Sequence, residues 1–230
     1  MVPYKLERSR RLKRMHVQID SPDYVLLKMP MRQAERHGLH FLEEHSEWIC
    51  ETLSKQSSAP SLRDHLMTQP RISLCGNWYQ LKMEFQQGRC REAVQEAVRE
   101  VKLVLDSGKP EEEQMVKLLK GIARKYLPER VEYHSERSGI KVHGVTVRDQ
   151  RSRWGSCSET GGISLNWRLI LISPRLQDHV ILHELTHLRH FDHSKSFHQM
   201  LQSLDGQAKK HARLLDEEAS KLINLGRAKR

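Results

Sequence analysis

Cysteine is scarce in this chain of 230 residues, which contains four cysteines. They lie far apart in the sequence, at Cys50, Cys75, Cys90 and Cys157. Since no two of them form a C-x-x-C motif, the sequence argues against a disulfide framework and against a zinc site made of thiolates. We expect the thiols to be reduced.

Long hydrophobic runs are also missing. No apolar stretch approaches the ~20 residues that a membrane-spanning helix needs, while 30% of the residues are charged and the mean hydropathy is -0.68. No apolar segment follows the charged N-terminal sequence MVPYKLERSRRLKR, so no secretory signal is visible. These absences predict a cytoplasmic protein with a polar surface and no membrane span.

Positive charge is in excess: the net charge is +10 and the isoelectric point is about 9.6. Five of the seven residues from Arg8 to Arg14 are basic. A basic surface can bind nucleic acid, but a basic run alone is a weak signal. A solvent-exposed strand or loop is the simpler interpretation, and nucleic acid stays an alternative partner.

The N-terminal part of the chain has the pattern of short strands and a helix. The runs MHVQID and DYVLLKMP are β-like and are separated by the turn-forming residues 21–23, which predicts a meander. Apolar residues recur at helical spacing from Arg32 to about Lys55. A hairpin is predicted around Gly76-Asn77, whereas residues 90–105 fit a helix or a strand.

A second helix is predicted to begin at SGKPEEE, because Pro110 and three glutamates suit a helix N-terminus. We expect Pro128 to bend or interrupt this helix, and the alternation in VTVRDQ predicts a further strand. The boundary between two lobes is expected between residues 85 and 112, and we place it after residue 105.

The segment ILHELTHLRHFDHSKSF, Ile181 to Phe197, holds four of the chain's 14 histidines. Ser173-Pro174 supplies an N-cap and a first helical residue, which predicts a helix that runs through Leu188. On that helix His183 and His187 lie one turn apart. They face away from an apolar stripe, which consists of Ile181, Leu185 and Leu188.

This H-E-x-x-H spacing is the one that a zinc peptidase needs. Two imidazoles at i and i+4 converge on one tetrahedral ion, and the neighbouring Glu184 can reach a metal-bound water without binding the metal. Bound Zn²⁺ lowers the pKa of that water to roughly 7, so the glutamate can take its proton and pass it to the leaving amine.

A third ligand has several candidates in the sequence. His193 reaches the metal only if the helix ends and the chain reverses near residues 189–192, because on an unbroken helix it would point elsewhere. Asp192 or Ser194 could then cap a new helix. That helix would have one apolar face, formed by Phe197, Leu201 and Leu204. His190, His198 or a more distant carboxylate remain alternatives to His193.

The runs RSRWGSC, GGISLNWRLIL, HVILHELTHL and HSKSF together closely resemble the YgjP-like metallopeptidase family, a compact zincin group related to the SprT-like and WLM proteases. The resemblance implies that His183, His187 and His193 hold zinc and that Glu184 is the general acid and base. Two positions depart from the usual pattern without touching these ligands: His179 stands where an aromatic residue is commoner, and His198 where tryptophan is typical.

The run GGISLNWRLIL alternates apolar and polar residues, which predicts a strand from Gly161 to Leu171. Such a strand either borders the substrate cleft or is a purely structural inner strand. Residues 154–157 are expected to form the turn into it, with Gly155 relaxing the backbone. Cys157 is interpreted as a small buried thiol instead of a ligand or a switch, and neither Arg153 nor Asn166 can be assigned to the site.

The sequence thus predicts an α+β protein. Residues 1–105 would form a β-rich N-terminal lobe with a helix, and residues 106–230 a zincin-like metallopeptidase domain with an active-site helix. The predicted function is zinc-dependent hydrolysis of peptide bonds in a protein or peptide substrate. The alternatives are a nucleic-acid-associated protein, such as a protease acting on DNA-bound proteins, and a zinc-stabilised module without catalysis.

Overall fold

A computed structural model describes residues 3–10, 12–19, 24–57, 61–219 and 221–227. The predicted turn at residues 21–23 lies outside these ranges. The chain divides into two compact units, Met1–Pro60 with Arg227–Arg230, and Ser61–Gly226. None of the helices in the described ranges combines the length and the hydropathy that crossing a bilayer requires.

The first unit contains a three-stranded sheet and two helices. Its elements are β1 (Tyr4–Ser9), β2 (His16–Gln18), β3 (Val25–Pro30), α1 (Glu35–Glu44) and α2 (Ser46–Ser57). The meander predicted for the two β-like runs is confirmed, since β2 and β3 are neighbours and pair antiparallel. The strand β1 was not predicted, and it pairs with β3 in parallel to give the order β1-β3-β2. β3 lies in the centre of this sheet. Every second residue in it is fully buried. The single helix predicted from Arg32 to Lys55 is two helices, divided at His45.

The second unit begins with α3 and a four-stranded sheet. Its elements are α3 (Leu62–Thr68), β4 (Arg71–Leu74), β5 (Asn77–Gln86), β6 (Arg91–Gln95) and β7 (Glu100–Asp106), in the sheet order β4-β5-β7-β6. The predicted hairpin is confirmed, with φ values of 50° at Cys75 and 77° at Gly76 that suit a tight two-residue turn. The segment that fitted a helix or a strand forms β6 and β7, joined by a 3₁₀ turn.

The same unit continues with a long helix, a small sheet and three further helices. These are α4 (Glu111–Ser138), β8 (Gly144–Arg148), β9 (Gly155–Cys157), β10 (Gly162–Asn166), α5 (Pro174–His187), α6 (Lys195–Leu204) and α7 (Ala208–Leu214). The sheet order is β8-β10-β9. Pro128 does not interrupt α4, which is helical on both sides of it.

One hydrophobic core joins both sheets of this unit to α4, α5 and α6. The predicted boundary after residue 105 falls between β7 and α4, whose residues Leu103, Leu105, Met115 and Leu119 share that core. Packing therefore divides the chain at Pro60 instead. Where the catalytic domain begins stays a prediction.

The strand predicted from Gly161 to Leu171 is shorter than expected. β10 ends at Asn166, and Trp167–Leu171 forms a 3₁₀ turn that is buried on all sides. The alternation was misleading because all five residues of this turn are buried, so Trp167, Leu169 and Leu171 do not mark one face of a strand. Arg168 is part of this turn and is completely buried. Its Nε donates to the carbonyl of Leu225 at 2.6 Å and its Nη1 to Asp149 at 2.6 Å.

We expect Arg168→Met to lower the free energy of unfolding by about 1–3 kcal/mol, because it leaves the buried carbonyl of Leu225 without its donor and breaks the ion pair with Asp149. Chemical denaturation of the purified protein measures this. Lys120→Met is the matched control, since Lys120 pairs with the same Asp149 at 2.8 Å from a more exposed position. The control should cost less than about 1 kcal/mol, and equal losses for the two variants would contradict the interpretation.

Candidate metal centre

The helix that carries the H-E-x-x-H motif begins where the sequence predicts. The Ser173 hydroxyl accepts a hydrogen bond from the backbone N–H of Leu176, and Pro174 is the first helical residue. Ile181 and Leu185 are completely buried on the back of α5. The helix ends at His187, one residue before the predicted end.

The structure brings the three predicted histidines together beside the end of α5. The Nε2 atom of His183 lies 3.2 Å from Nε2 of His187 and 3.4 Å from Nε2 of His193. For comparison, zinc–nitrogen bonds of about 2.0–2.1 Å in a tetrahedron put the donor atoms ~3.3 Å apart. The three side chains are therefore spaced as ligands of one metal ion would be.

The protonation states of the imidazoles also suit a metal. Nδ1 of His187 lies 3.1 Å from the carbonyl oxygen of His190, which can only accept, so the proton is on Nδ1 and the Nε2 lone pair faces the cluster. Burial, and then the neighbouring imidazoles, lowers the pKa of His183 to about 4. That ring is consequently neutral at pH 7, as a metal ligand must be.

A chain reversal after α5 puts His193 in reach of the other two rings. The carbonyl of Thr186 accepts from the N–H groups of Arg189 and His190, both at 3.0 Å. Ser194, and not Asp192, is the N-cap of α6. Two other histidines were alternative ligands. The backbone carbonyl of His190 accepts a hydrogen bond from Nδ1 of His187, and the ring centroid of His198 lies 6.4 Å from that of His193. Among the described residues, neither belongs to the cluster.

Phe197 is a site residue that sequence reasoning missed. Its ring is completely buried, and its centroid lies 5.0, 4.6 and 4.9 Å from the ring centroids of His183, His187 and His193. Its place on the apolar face of α6 was predicted correctly, together with Leu201. The contact with all three imidazoles depends on the chain reversal, which no local pattern reports.

Glu184 is nearly buried, with 6% of its surface exposed. Burial raises the pKa of its carboxyl to about 7, although Arg153 acts in the opposite direction. Gly155 lies directly against it: a Cβ atom at position 155 would be 2.6 Å from Oε1 of Glu184. The expected turn at residues 154–157 is thus wrong. Gly155 belongs to β9, and its role is to leave space for the carboxyl group.

Asn166 was left unassigned by the sequence, and Cys157 was predicted to be buried but is partly exposed. The fully buried Asn166 donates from Nδ2 to the carbonyls of Gln150 and Arg153, at 2.8 and 3.2 Å, and so anchors the loop before β9. Cys157 is partly exposed, and burial together with the charge of Glu184 raises the pKa of its thiol to about 11. The thiol stays protonated at neutral pH, which disfavours it as a ligand.

Two histidines one turn apart, a third imidazole and an adjacent buried glutamate define the class of metal-dependent hydrolases that carry H-E-x-x-H on a helix. The chain belongs to the YgjP-like family: the family's "YgjP-like, metallopeptidase domain" matches residues 13–218. It is accordingly a metallopeptidase, and the family implies a metal ion.

Among solved structures, the chain is similar to the crystal structure of the metallopeptidase zymogen of Pyrococcus abyssi abylysin. The two are 21% identical, the match covers 40% of this chain and 95% of that chain, and the TM-score is 0.36. No curated protein sequence matches the chain.

We expect purified His193→Ala protein to hold much less divalent metal than the wild-type protein, because one of three donors is lost. Metal content per chain, measured by elemental analysis after dialysis, tests this. His190→Ala is the control: its backbone carbonyl still accepts from His187, so bound metal should not change. Loss of metal from the control with retention in His193→Ala would identify His190 as the ligand.

Proposed function

We propose that the chain is a zinc-dependent endopeptidase in which His183, His187 and His193 hold the ion and Glu184 transfers protons. The observation that carries this proposal is the spacing of the three Nε2 atoms, at 3.2 and 3.4 Å around His183. The helix that carries His183 and His187 also carries Glu184, whose carboxyl group is buried.

The donor set favours zinc over the harder cations. Three neutral imidazoles suit Zn²⁺, whereas Mg²⁺ and Ca²⁺ prefer oxygen ligands. Three protein ligands are typical of catalytic zinc sites, which leave a fourth position for solvent or substrate. When bound, zinc supplies a Lewis acid that acidifies water and polarises a peptide carbonyl.

The work assigned to Glu184 follows from its burial. A carboxyl group with a pKa raised to about 7 can accept a proton from the attacking water and return it to the leaving amine near neutral pH. Oxygen atoms of a fully exposed glutamate would be too weakly basic for the first step. The same low-polarity surroundings strengthen the attraction between the carboxylate and a nearby positive charge.

The strand that we propose to align the substrate is β9 instead of β10. Both edges of β10 are paired, with β8 and β9. Trp154 and Ser158 hydrogen-bond towards β10, each at 2.8 Å. By the alternation of antiparallel pairs, the backbone N–H and C=O of Gly155 and Cys157 point to the outer edge. Among the described strands none pairs with that edge, so an extended peptide can add to it beside Glu184.

The other functions expected from the sequence are supported less well. In the basic run, Arg8 donates to the carbonyl of Gln33 at 2.5 Å, so this guanidinium has a structural role in the first unit. Binding of nucleic acid and a cytoplasmic location stay predictions. A zinc-stabilised module without catalysis would not need a buried carboxyl at the residue that follows His183.

We expect Glu184→Gln to keep its metal and to lose peptide hydrolysis by about 10²–10⁴-fold, because the amide cannot accept the proton. Cleavage of an unfolded protein such as casein, and metal content, are measured on the same preparation. Glu159→Gln, at an exposed glutamate, is the control and should retain wild-type activity. Undiminished cleavage by Glu184→Gln would remove the proposed mechanism.

We expect Gly155→Ala to reduce the rate of hydrolysis by about 10²-fold. The new methyl group would be too close to the carboxyl of Glu184, which must move away from its present position. Its metal content should match that of the wild-type protein. Gly144→Ala, in β8 of the same sheet, is the matched control because a Cβ there meets nothing within 4 Å. Full activity of Gly155→Ala would show that the position of this carboxyl is not critical.

A further inference from the structure

A second cluster of metal-binding residue types lies one helical turn before His183. It consists of His179, Asp205 and His211. Asp205 is the residue that ends α6, His211 belongs to α7, and His179 belongs to α5. His179 and Asp205 are both buried, with 4% and 9% of their surfaces exposed. Neither His179 nor His211 is among the ligands expected from the sequence.

The separations in this cluster are those of hydrogen bonds. Nδ1 of His179 lies 2.7 Å from Oδ2 of Asp205, and Nδ1 of His211 lies 2.9 Å from the same oxygen. These values fit N–H···O contacts and are shorter than the ~3.3 Å between donors around a tetrahedral zinc ion. Two imidazole N–H groups therefore donate to one carboxylate. We call these three residues the His-Asp-His clamp.

The charge state of Asp205 agrees with this assignment. Burial opposes its ionisation, but hydrogen bonds from His211 and His179 hold its pKa below the usual value. The backbone N–H of Gln207 also donates to Oδ1, at 3.1 Å. The carboxylate thus accepts from one donor on α5 and from two donors at α7, the N-cap residue Gln207 and His211.

The clamp joins the two segments that supply the metal ligands. α5 carries His183 and His187, and α6 starts directly after His193 and contains Phe197, which contacts all three imidazoles. Because the clamp links α5 to the end of α6 and to α7, it restricts the angle between α5 and α6. A change in that angle would move His193 relative to the other two rings.

We propose that the His-Asp-His clamp is a positioning device for the metal centre, which holds His193 at bonding distance from an ion on His183 and His187. The inference rests on the proposed function, since it assumes that these three imidazoles bind zinc. It assigns to the clamp residues an effect on zinc affinity that is separate from their effect on folding.

The test is the zinc affinity of clamp variants in the full-length protein, measured by competition with a chromogenic chelator. Asp205→Asn puts an amide donor against N–H donors, and His211→Ala removes one donor. We expect both to bind zinc about tenfold more weakly, as changes behind metal ligands do. His211→Asn should retain wild-type affinity, because its amide nitrogen can occupy the place of Nδ1 and donate to Asp205.

Asp178→Asn is the matched structural control. Asp178 precedes His179 on α5 and accepts two hydrogen bonds from Arg130 of α4, at 2.7 and 2.6 Å. Its loss should lower the melting temperature of the metal-free protein, as Asp205→Asn does. The zinc affinity of Asp178→Asn should not change, because α4 carries none of the three ligands.

Three results would overturn the proposal, and each has a different meaning. If the clamp variants lower the melting temperature but bind zinc as the wild type does, the clamp only stabilises the fold. If wild-type protein binds two zinc ions and His211→Asn binds one, the cluster is itself a metal site. If wild-type protein binds no zinc, the proposed function fails and the clamp proposal fails with it.

Discussion

The convergence of three imidazoles on one point at the end of α5 is the constraint on which the site depends. A single helix can supply two donors one turn apart, but the third must come from chain that has already turned back. The carbonyl of Thr186 closes that turn by accepting two backbone N–H groups. Phe197 then packs against the three rings, so this residue belongs both to the hydrophobic core and to the histidine cluster.

The raised pKa of Glu184 arises from burial instead of from a charged partner. Desolvation is the main cause of its raised pKa, and the opposing effect of Arg153 is smaller. Such burial is possible because β9 presents a glycine at the point of closest approach. The outer edge of β9, which pairs with no other described strand, and the buried carboxyl group therefore meet at Gly155, where we propose that a peptide binds.

Local patterns predicted what is local in this structure. The N-cap at Ser173, the pair His183 and His187, and the hairpin at Gly76 all follow from neighbouring residues, and the structure contains them. The prediction of a strand through Leu171 was wrong. Trp167–Leu171 is a 3₁₀ turn whose residues are all buried, so its apolar residues do not mark one face of a strand. The close approach of Gly155 to Glu184 was not predictable, since it joins two elements distant in sequence that only tertiary packing brings together.

The two histidine clusters show why residue type alone does not identify a metal site. Both contain imidazoles that converge within a few ångströms. In one, nitrogen faces nitrogen at 3.2 and 3.4 Å, an arrangement in which two lone pairs repel unless a cation or a proton lies between them. In the other, N–H faces carboxylate at 2.7 Å, and the attraction is already complete. The separation and polarity of the atoms, not their identity, distinguish the cluster that we propose to bind an ion from the one that hydrogen bonds hold together.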